Sequence, residues 1–246
     1  MIASPLAGKP DWVVWGLLAI AGVLLLARLD NGLLWQDEAE TALLARHVLR
    51  FGYPRVSDGR SPMEIVSPYT HGPDEAWIYS PWAPFYLLAG VFAVFGESTA
   101  IARAPFALCG WLSIWLAWQL ARHAGFSRQV QRLTVALLTF SVPVLLHMRQ
   151  CRYYGMVTAI VLAICWLYLA WDERPTWPRS LGLGMLLGAL FHNELRNLHS
   201  GRMCAGVPLP AVGVAEVALA MVDDRDGSRR ADRAMGGRVL SAGHLC

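Results

Sequence analysis

Three stretches of this chain carry residue types and spacings that could do chemistry. In Trp35-Gln36-Asp37-Glu38-Ala39-Glu40, an acidic cluster sits just past an apolar run and faces the level of lipid headgroups. It reads either as a functional carboxylate pair, Asp37 and Glu38, or as a cap. As a cap, Asp37 is the N-cap and Glu40, three positions on, closes a capping box for a helix running to Gly52. The apolar positions Ala39, Ala42, Leu43, Ala45, Val48 and Leu49 then predict an amphipathic helix lying on the membrane. In Arg149-Gln150-Cys151-Arg152-Tyr153-Tyr154, two arginines separate two strongly apolar runs. They either snorkel to the interface or hold something anionic, because the guanidinium fork matches a phosphate bidentately. The third stretch, Ser67 to Trp82, mixes carboxylates, His71 and aromatics such as Tyr79 with prolines. Its rings suit either interface anchoring or stacking on sugars. His71 with Asp74 and Glu75 is the candidate ligand set for a divalent cation, although no defined metal-ligand spacing supports it. His147 reads as a helix-end residue rather than a catalyst.

The elements that must position these residues are membrane helices. Of the 246 residues, 55% are hydrophobic and only 16% charged, and 11 are Trp, which is too apolar for a soluble domain. Four runs, Trp12 to Leu29, Ala104 to Leu120, Leu133 to Leu146 and Gly155 to Trp171, approach or reach the roughly 20 residues that cross a bilayer core. Unpaired backbone groups are costly in lipid, so each run is expected to be helical. The fold class is therefore an all-α polytopic membrane protein. A fifth run, Trp82 to Phe95, is short, opened by Pro81 and Pro84 and closed by Gly96, and fits a re-entrant or interfacial helix.

The positive-inside rule orders the loops. With residues 82–95 not crossing, the N-terminus lies in the cytoplasm, 30–103 outside, 121–132 inside, 147–154 outside and 172–179 inside. Asp37, Glu38, Arg149 and Arg152 then share the extracytoplasmic face of the plasma (inner) membrane. The first run is about 18 residues with one Lys before it and no small-residue cleavage site after it, so it reads as an uncleaved helix. Five scattered cysteines with no Cys-x-x-Cys imply neither a disulfide framework nor structural zinc. A net charge of +3 without a basic face does not point to nucleic acid.

Taken in order, the pieces resemble the membrane glycosyltransferases of the GT-C superfamily, in particular the protein O-mannosyltransferase and aminoarabinose transferase group. The resemblance rests on Asp37-Glu38-Ala39 followed by Gly52-Tyr53-Pro54, and on Ser80-Pro81-Trp82-Ala83-Pro84-Phe85-Tyr86-Leu87-Leu88. Phe95-Gly96-Glu97-Ser98 leading to Ala102-Arg103-Ala104-Pro105 and on to Gly110 adds to it, as does Arg149 to Tyr154. It covers residues 10 to 192 and implies a GT-C-like helical bundle whose first extracytoplasmic loop carries amphipathic helices. Such enzymes move a sugar from a polyprenyl-phosphate carrier to an extracytoplasmic acceptor, a lipid, glycan or protein, with inversion. The resemblance implies that Asp37 is the catalytic carboxylate, with Glu38 assisting, and that Arg149 and Arg152 neutralise the departing lipid phosphate. His71, Tyr79, Tyr153 and Tyr154 are the candidate substrate contacts. No cofactor is assigned, and a divalent cation is the one candidate. This chain has Ser80 where many relatives carry a basic residue, and tyrosines at 153 and 154 where many carry an acidic one. The competing readings are a non-enzymatic membrane adaptor and a lipid-carrier flipping or transport component.

Composition changes near residue 192. All aromatic residues lie at or before Phe191, and the segment 193–246 has none. It reads as a separate tail, either disordered or frameshifted. All but one of the 21 basic residues are Arg, which suggests GC-rich codons, and these yield Ala, Gly, Arg and Val out of frame. Dropping one base at Asn193 lets the codons for Asn193 to Leu198 read Thr-Asn-Tyr-Val-Thr-Phe. The expectation is a truncated, inactive form of a longer transferase.

Overall fold

A computed structural model describes residues 10–59, 71–72 and 74–195. The tail reading therefore falls, apart from Asn193 to Leu195, outside the described residues. Eight α-helices form the described part: α1 Trp12–Leu26, α2 Gln36–Phe51, α3 Ala83–Phe95, α4 Thr99–His123, α5 Arg128–Phe140, α6 Val142–Arg149, α7 Tyr154–Glu173 and α8 Trp177–Leu190. A π-helical turn, Phe191–Leu195, follows. The protein is an all-α membrane protein, with no strand among the described residues. Two isolated bridges, Arg55 with Ala76 and His71 with Trp77, tie the loop between α2 and α3.

Length and apolarity decide which helices cross. At ~1.5 Å per residue, the 25 residues of α4 and the 20 of α7 reach the thickness of a hydrocarbon core. The run Leu133 to Leu146, expected as one helix, is two, α5 and α6, bent by 60° and together long and apolar enough to form one broken span. Pro143, in the first turn of α6, supplies the reason: it has no N–H to give the preceding turn and its ring crowds the backbone there. α1 is short, at 15 residues, and apolar on every side. It buries Val14, Leu18, Ala21 and Leu25 against α4 and α5 and leaves Trp12, Val23 and Leu26 exposed, as a helix facing lipid does.

Side-chain contacts fix which ends lie together. Asp11, the N-cap of α1, pairs with Arg132 near the start of α5 at 3.0 Å. His123 at the end of α4 meets Glu173 at the end of α7 at 3.3 Å. At the opposite end, Arg149 finishes α6 against the last carbonyls of α1, and Arg103 opens α4 beside residues 29–33. α2 and α3 form an antiparallel hairpin, with Tyr86 donating to the Gly52 carbonyl and Arg46 paired with Glu97. The chain thus leaves and rejoins the bundle at the same end.

The amphipathic helix is real, but its apolar face turns inward. α2 buries Ala42, Leu44, Ala45 and Val48 in a core with Trp77, Phe85, Leu88, Phe92, Phe106 and Cys151, while Leu49 and Ala39 stay exposed. Its register also differs from the capping box read in the sequence. The N-cap is Trp35, and Glu38 rather than Glu40 reaches back to the cap N–H. Gly52, at φ 82°, ends the helix in the left-handed conformation that glycine adopts without strain.

α4 and α7 cross closely at Gly155. A Cβ there would stand 2.6 Å from the Phe106 carbonyl oxygen, a backbone atom that cannot step aside. Gly155→Ala is expected to cost about 1–3 kcal/mol by overpacking. Gly184→Ala, inside α8 where no atom lies within 4 Å, should cost nothing and raise stability by up to about 1 kcal/mol. Thermal unfolding of the two variants in detergent checks this; equal melting temperatures would refute the close crossing.

Candidate functional site

The centre of the site is a buried carboxylate. Glu38, in the first turn of α2, is 1% exposed and accepts four hydrogen bonds. Arg103 donates from Nε to Oε1 at 2.9 Å and from Nη2 to Oε2 at 2.6 Å. The Cys151 amide donates to Oε1 at 2.8 Å and the Trp35 amide to Oε2 at 3.3 Å. A carboxylate has about four lone-pair sites, and all are used. Burial pushes the Glu38 carboxyl up, but the Arg103 hydrogen bond and then the Cys151 amide outweigh it, so the group titrates below the usual carboxylate range.

Arg103 is equally saturated. Its remaining donors reach the carbonyls of Leu29 and Asn31 at 3.0 Å and of Leu33 at 3.2 Å, so all five N–H groups are placed. One residue pair therefore joins the start of α2, the start of α4, the chain leaving α1 and the turn between α6 and α7. In the sequence Arg103 appears only inside a family-like segment, with no role assigned. The available signal was an arginine in the second turn of a long apolar helix, which in lipid requires a partner.

The Cys151 amide is the hinge point for the rest. Because Cys151 is held on Glu38 and fully buried, the next residue, Arg152, projects back toward α2. Its Nη2 lies 3.3 Å from Asp37 Oδ2, and its Nη1 lies 3.5 Å from Glu40 Oε1 and 3.3 Å from the Asp37 carbonyl. These contacts are longer than the roughly 2.7–2.9 Å of a tight charge-assisted bond. Arg152 Nε is buried and has no hydrogen-bond partner among the described residues. Its guanidinium also stands 5.7 Å from the Tyr153 ring. The Tyr153 and Tyr154 rings lie 4.7 Å apart, tilted at 46° to one another, and Tyr154 meets His147 edge-on at 5.5 Å. Burial raises the pKa of the Cys151 thiol, so this cysteine is inert packing rather than a nucleophile.

Asp37, Glu38, Arg152, Tyr153 and Tyr154 thus converge. Arg149 reaches the same end with its fork spent: it donates to the carbonyls of Leu24 at 2.8 Å, Ala27 at 2.7 Å and Arg28 at 3.2 Å, capping α1. His71 and Tyr79 belong to the loop before α3, organised around buried Trp77. Trp77 donates to Ser80 Oγ at 2.7 Å and its carbonyl accepts from Trp82 Nε1 at 2.6 Å. Tyr79 is 61% exposed beside it, and His71 hydrogen-bonds the Gly72 carbonyl through Nδ1 while its buried Nε2 has no described partner. Of the proposed cation ligands, Glu75 is engaged by Arg55 at 2.7 Å. Among the described residues no group of three or more His, Cys, Asp or Glu side chains is placed to hold a metal ion.

The fold and the site describe a helical membrane protein with a carboxylate and a partly unsatisfied guanidinium at one end of its bundle. Residues 80–194 match the family model of dolichyl-phosphate-mannose-protein mannosyltransferase. The matched segment takes in Arg103, Arg149, Arg152 and both tyrosines, and begins after Asp37 and Glu38. No curated protein and no solved structure matches the chain.

The Glu38–Arg103 pair makes an energetic prediction. Removing one member of a buried, fully bonded pair costs about 3–5 kcal/mol, so Glu38→Gln and Arg103→Met are each expected to lower the melting temperature sharply. The double variant should lose less than the two losses added. Because folding depresses the Glu38 pKa, its stabilisation is complete above the ordinary Glu value of about 4.3 and is lost as pH falls through the lower, folded value. Glu38→Gln should therefore flatten the acid side of the stability curve, and strictly additive losses in a thermal-melt cycle would refute the coupling.

Proposed function

We propose that this chain carries the acidic-loop part of a mannosyltransferase-type enzyme that uses a polyprenyl-phosphate sugar. The sugar would pass to an extracytoplasmic acceptor, a lipid, glycan or protein, in a single in-line displacement. The observation that carries the reading is Arg152: a guanidinium with a buried, unpartnered Nε and two loose carboxylate contacts, beside a carboxylate at the membrane surface. Such a fork suits a phosphate oxygen, where negative charge grows as the glycosidic bond breaks. The family match over residues 80–194 supports the same donor chemistry.

In this reading Asp37 is the catalytic carboxylate, taking the proton of the acceptor hydroxyl or orienting it. Glu38, with every acceptor site filled, is a positioning residue that holds α2 and the Arg152 turn in register. Arg152 binds the carrier phosphate, and Arg149 holds the end of α1 on which the site is built. Tyr153 and Tyr154, adjacent and tilted, offer aromatic surface to the sugar, with Tyr79 and His71 on the neighbouring loop. The reaction face would be extracytoplasmic, following the positive-inside assignment.

Two substitutions test this. In membranes supplied with a polyprenyl-phosphate-linked mannose, Arg152→Gln is expected to weaken retention of the donor about tenfold, the equivalent of one lost charge-assisted contact. Asp37→Asn should leave donor retention intact and lower transfer by about 10²–10⁴-fold. Donor retention that is indifferent to Arg152, or transfer that survives Asp37→Asn, would sink the respective assignment.

A further inference from the structure

His147, in the last turn of α6, stands beside the aromatic pair that follows Arg152. We propose that its Nε2 accepts a hydrogen bond from a hydroxyl of the sugar on the donor lipid, so that His147 distinguishes a sugar-loaded carrier from a bare one. The inference rests on the reading of Arg152 as the contact for the carrier phosphate, and it adds a specificity residue to that site.

The backbone of α6 decides which ring nitrogen is available. His147 Nδ1 lies 2.8 Å from the Pro143 carbonyl oxygen, one turn earlier in the same helix. A carbonyl only accepts, so Nδ1 carries the proton, and the uncharged imidazole keeps its lone pair on Nε2. That atom has no hydrogen-bond partner among the described residues, and the residue is exposed. Two positions on, Arg149 ties α6 to the carbonyls of Leu24 and Ala27, so the imidazole is aimed by fixed backbone.

Ring contacts then carry the imidazole to the site. It meets Tyr154 edge-on at 5.5 Å, Tyr154 lies 4.7 Å from Tyr153, and the Arg152 guanidinium stands 5.7 Å from the Tyr153 ring. A guanidinium, two phenols and an imidazole thus follow one another in contact.

The chemistry of a glycosyl phosphate matches that order. Its sugar is joined to the phosphate through a single oxygen, so a phosphate on Arg152 leaves the sugar beside the neighbouring rings. Phenol rings take the C–H faces of a sugar, whereas its hydroxyl protons need acceptors. Arg152 only donates, Glu38 has every acceptor site filled, and Asp37 is engaged by Arg152. Nε2 of His147 supplies an uncharged acceptor at the far edge of the aromatic pair. A site that hydrogen-bonds a substrate hydroxyl discriminates against the ligand that lacks it, because the polar group is then left unpaired.

Binding of two lipids to the full chain in nanodiscs tests the proposal: polyprenyl phosphate carrying mannose, and the same polyprenyl phosphate without sugar. His147→Phe keeps a ring against Tyr154 and removes Nε2. It should weaken retention of the mannose-loaded lipid about fivefold, the equivalent of one neutral hydrogen bond, and leave the bare lipid unchanged. His147→Asn, whose amide can still reach the Pro143 carbonyl but places nothing at Nε2, should do the same. His147→Gln, which carries an acceptor at a similar reach, should restore most of the preference. An imidazole that only packs on Tyr154 or only faces headgroups cannot separate the two lipids, so equal losses for both, or no loss for either, would overturn the proposal. The Arg152 reading is judged separately, since Arg152→Gln should weaken the bare lipid as much as the loaded one.

Discussion

Most of the Asp37 end of this molecule depends on the ion pair between Glu38 and Arg103. The two residues stand 65 positions apart, and their contact closes the long excursion of α2, the intervening loop and α3 back onto the bundle. Taking a carboxylate and a guanidinium out of water is expensive, and such a pair is worthwhile only when every remaining donor and acceptor is used. Here the carboxylate accepts four hydrogen bonds and the guanidinium donates five. The cost of desolvation is thereby offset. What the pair adds is geometric: four chain segments meet at one point and cannot slide independently.

Three arginines at this end differ in how fully the folded chain uses their donors. Arg103 is saturated by Glu38 and by carbonyls. Arg149 is spent on the last turn of α1 and the residues after it, where helix carbonyls would otherwise have no partner in an apolar setting. Arg152 alone of the three keeps a buried donor without a described partner and holds its carboxylates loosely. The rigid neighbours matter for that third side chain, because a guanidinium aimed by fixed backbone binds an anion with little reorganisation.

Much of the fold was legible in the chain, because lipid leaves so few choices. The apolar runs Ala104 to Leu120 and Gly155 to Trp171 could only be helices and lie within α4 and α7, and the brevity of Trp82 to Phe95 marked it as different. The errors have physical causes. Leu133 to Leu146 was read as one continuous helix because hydropathy ignores the backbone, whereas Pro143 divides it into two helices that together keep the length and apolarity of a broken span. The α2 cap was read from a local spacing that two carboxylates fit equally, Asp37 with Glu40 or Trp35 with Glu38. The second arrangement prevails because it lets Glu38 point inward to Arg103. The apolar stripe of α2 was assigned to a membrane surface because a sequence shows an apolar face without showing its partner, which is the core around Trp77 and Phe85.

The sequence by itself determined the class of molecule, and it singled out Asp37, Glu38 and Arg152 as charged groups at the ends of apolar runs, since charge is costly inside them. Only the tertiary structure decided the roles. Periodicity records that Glu38 and Asp37 are neighbours, but which of them is buried depends on the rotation of α2 against α3 and α4. Likewise Arg103, Arg149 and Arg152 are alike in sequence. Their division into clamp, helix cap and loosely held cation depends on how many hydrogen-bond partners the folded chain brings within reach of each, and that number is set by contacts between residues tens of positions apart.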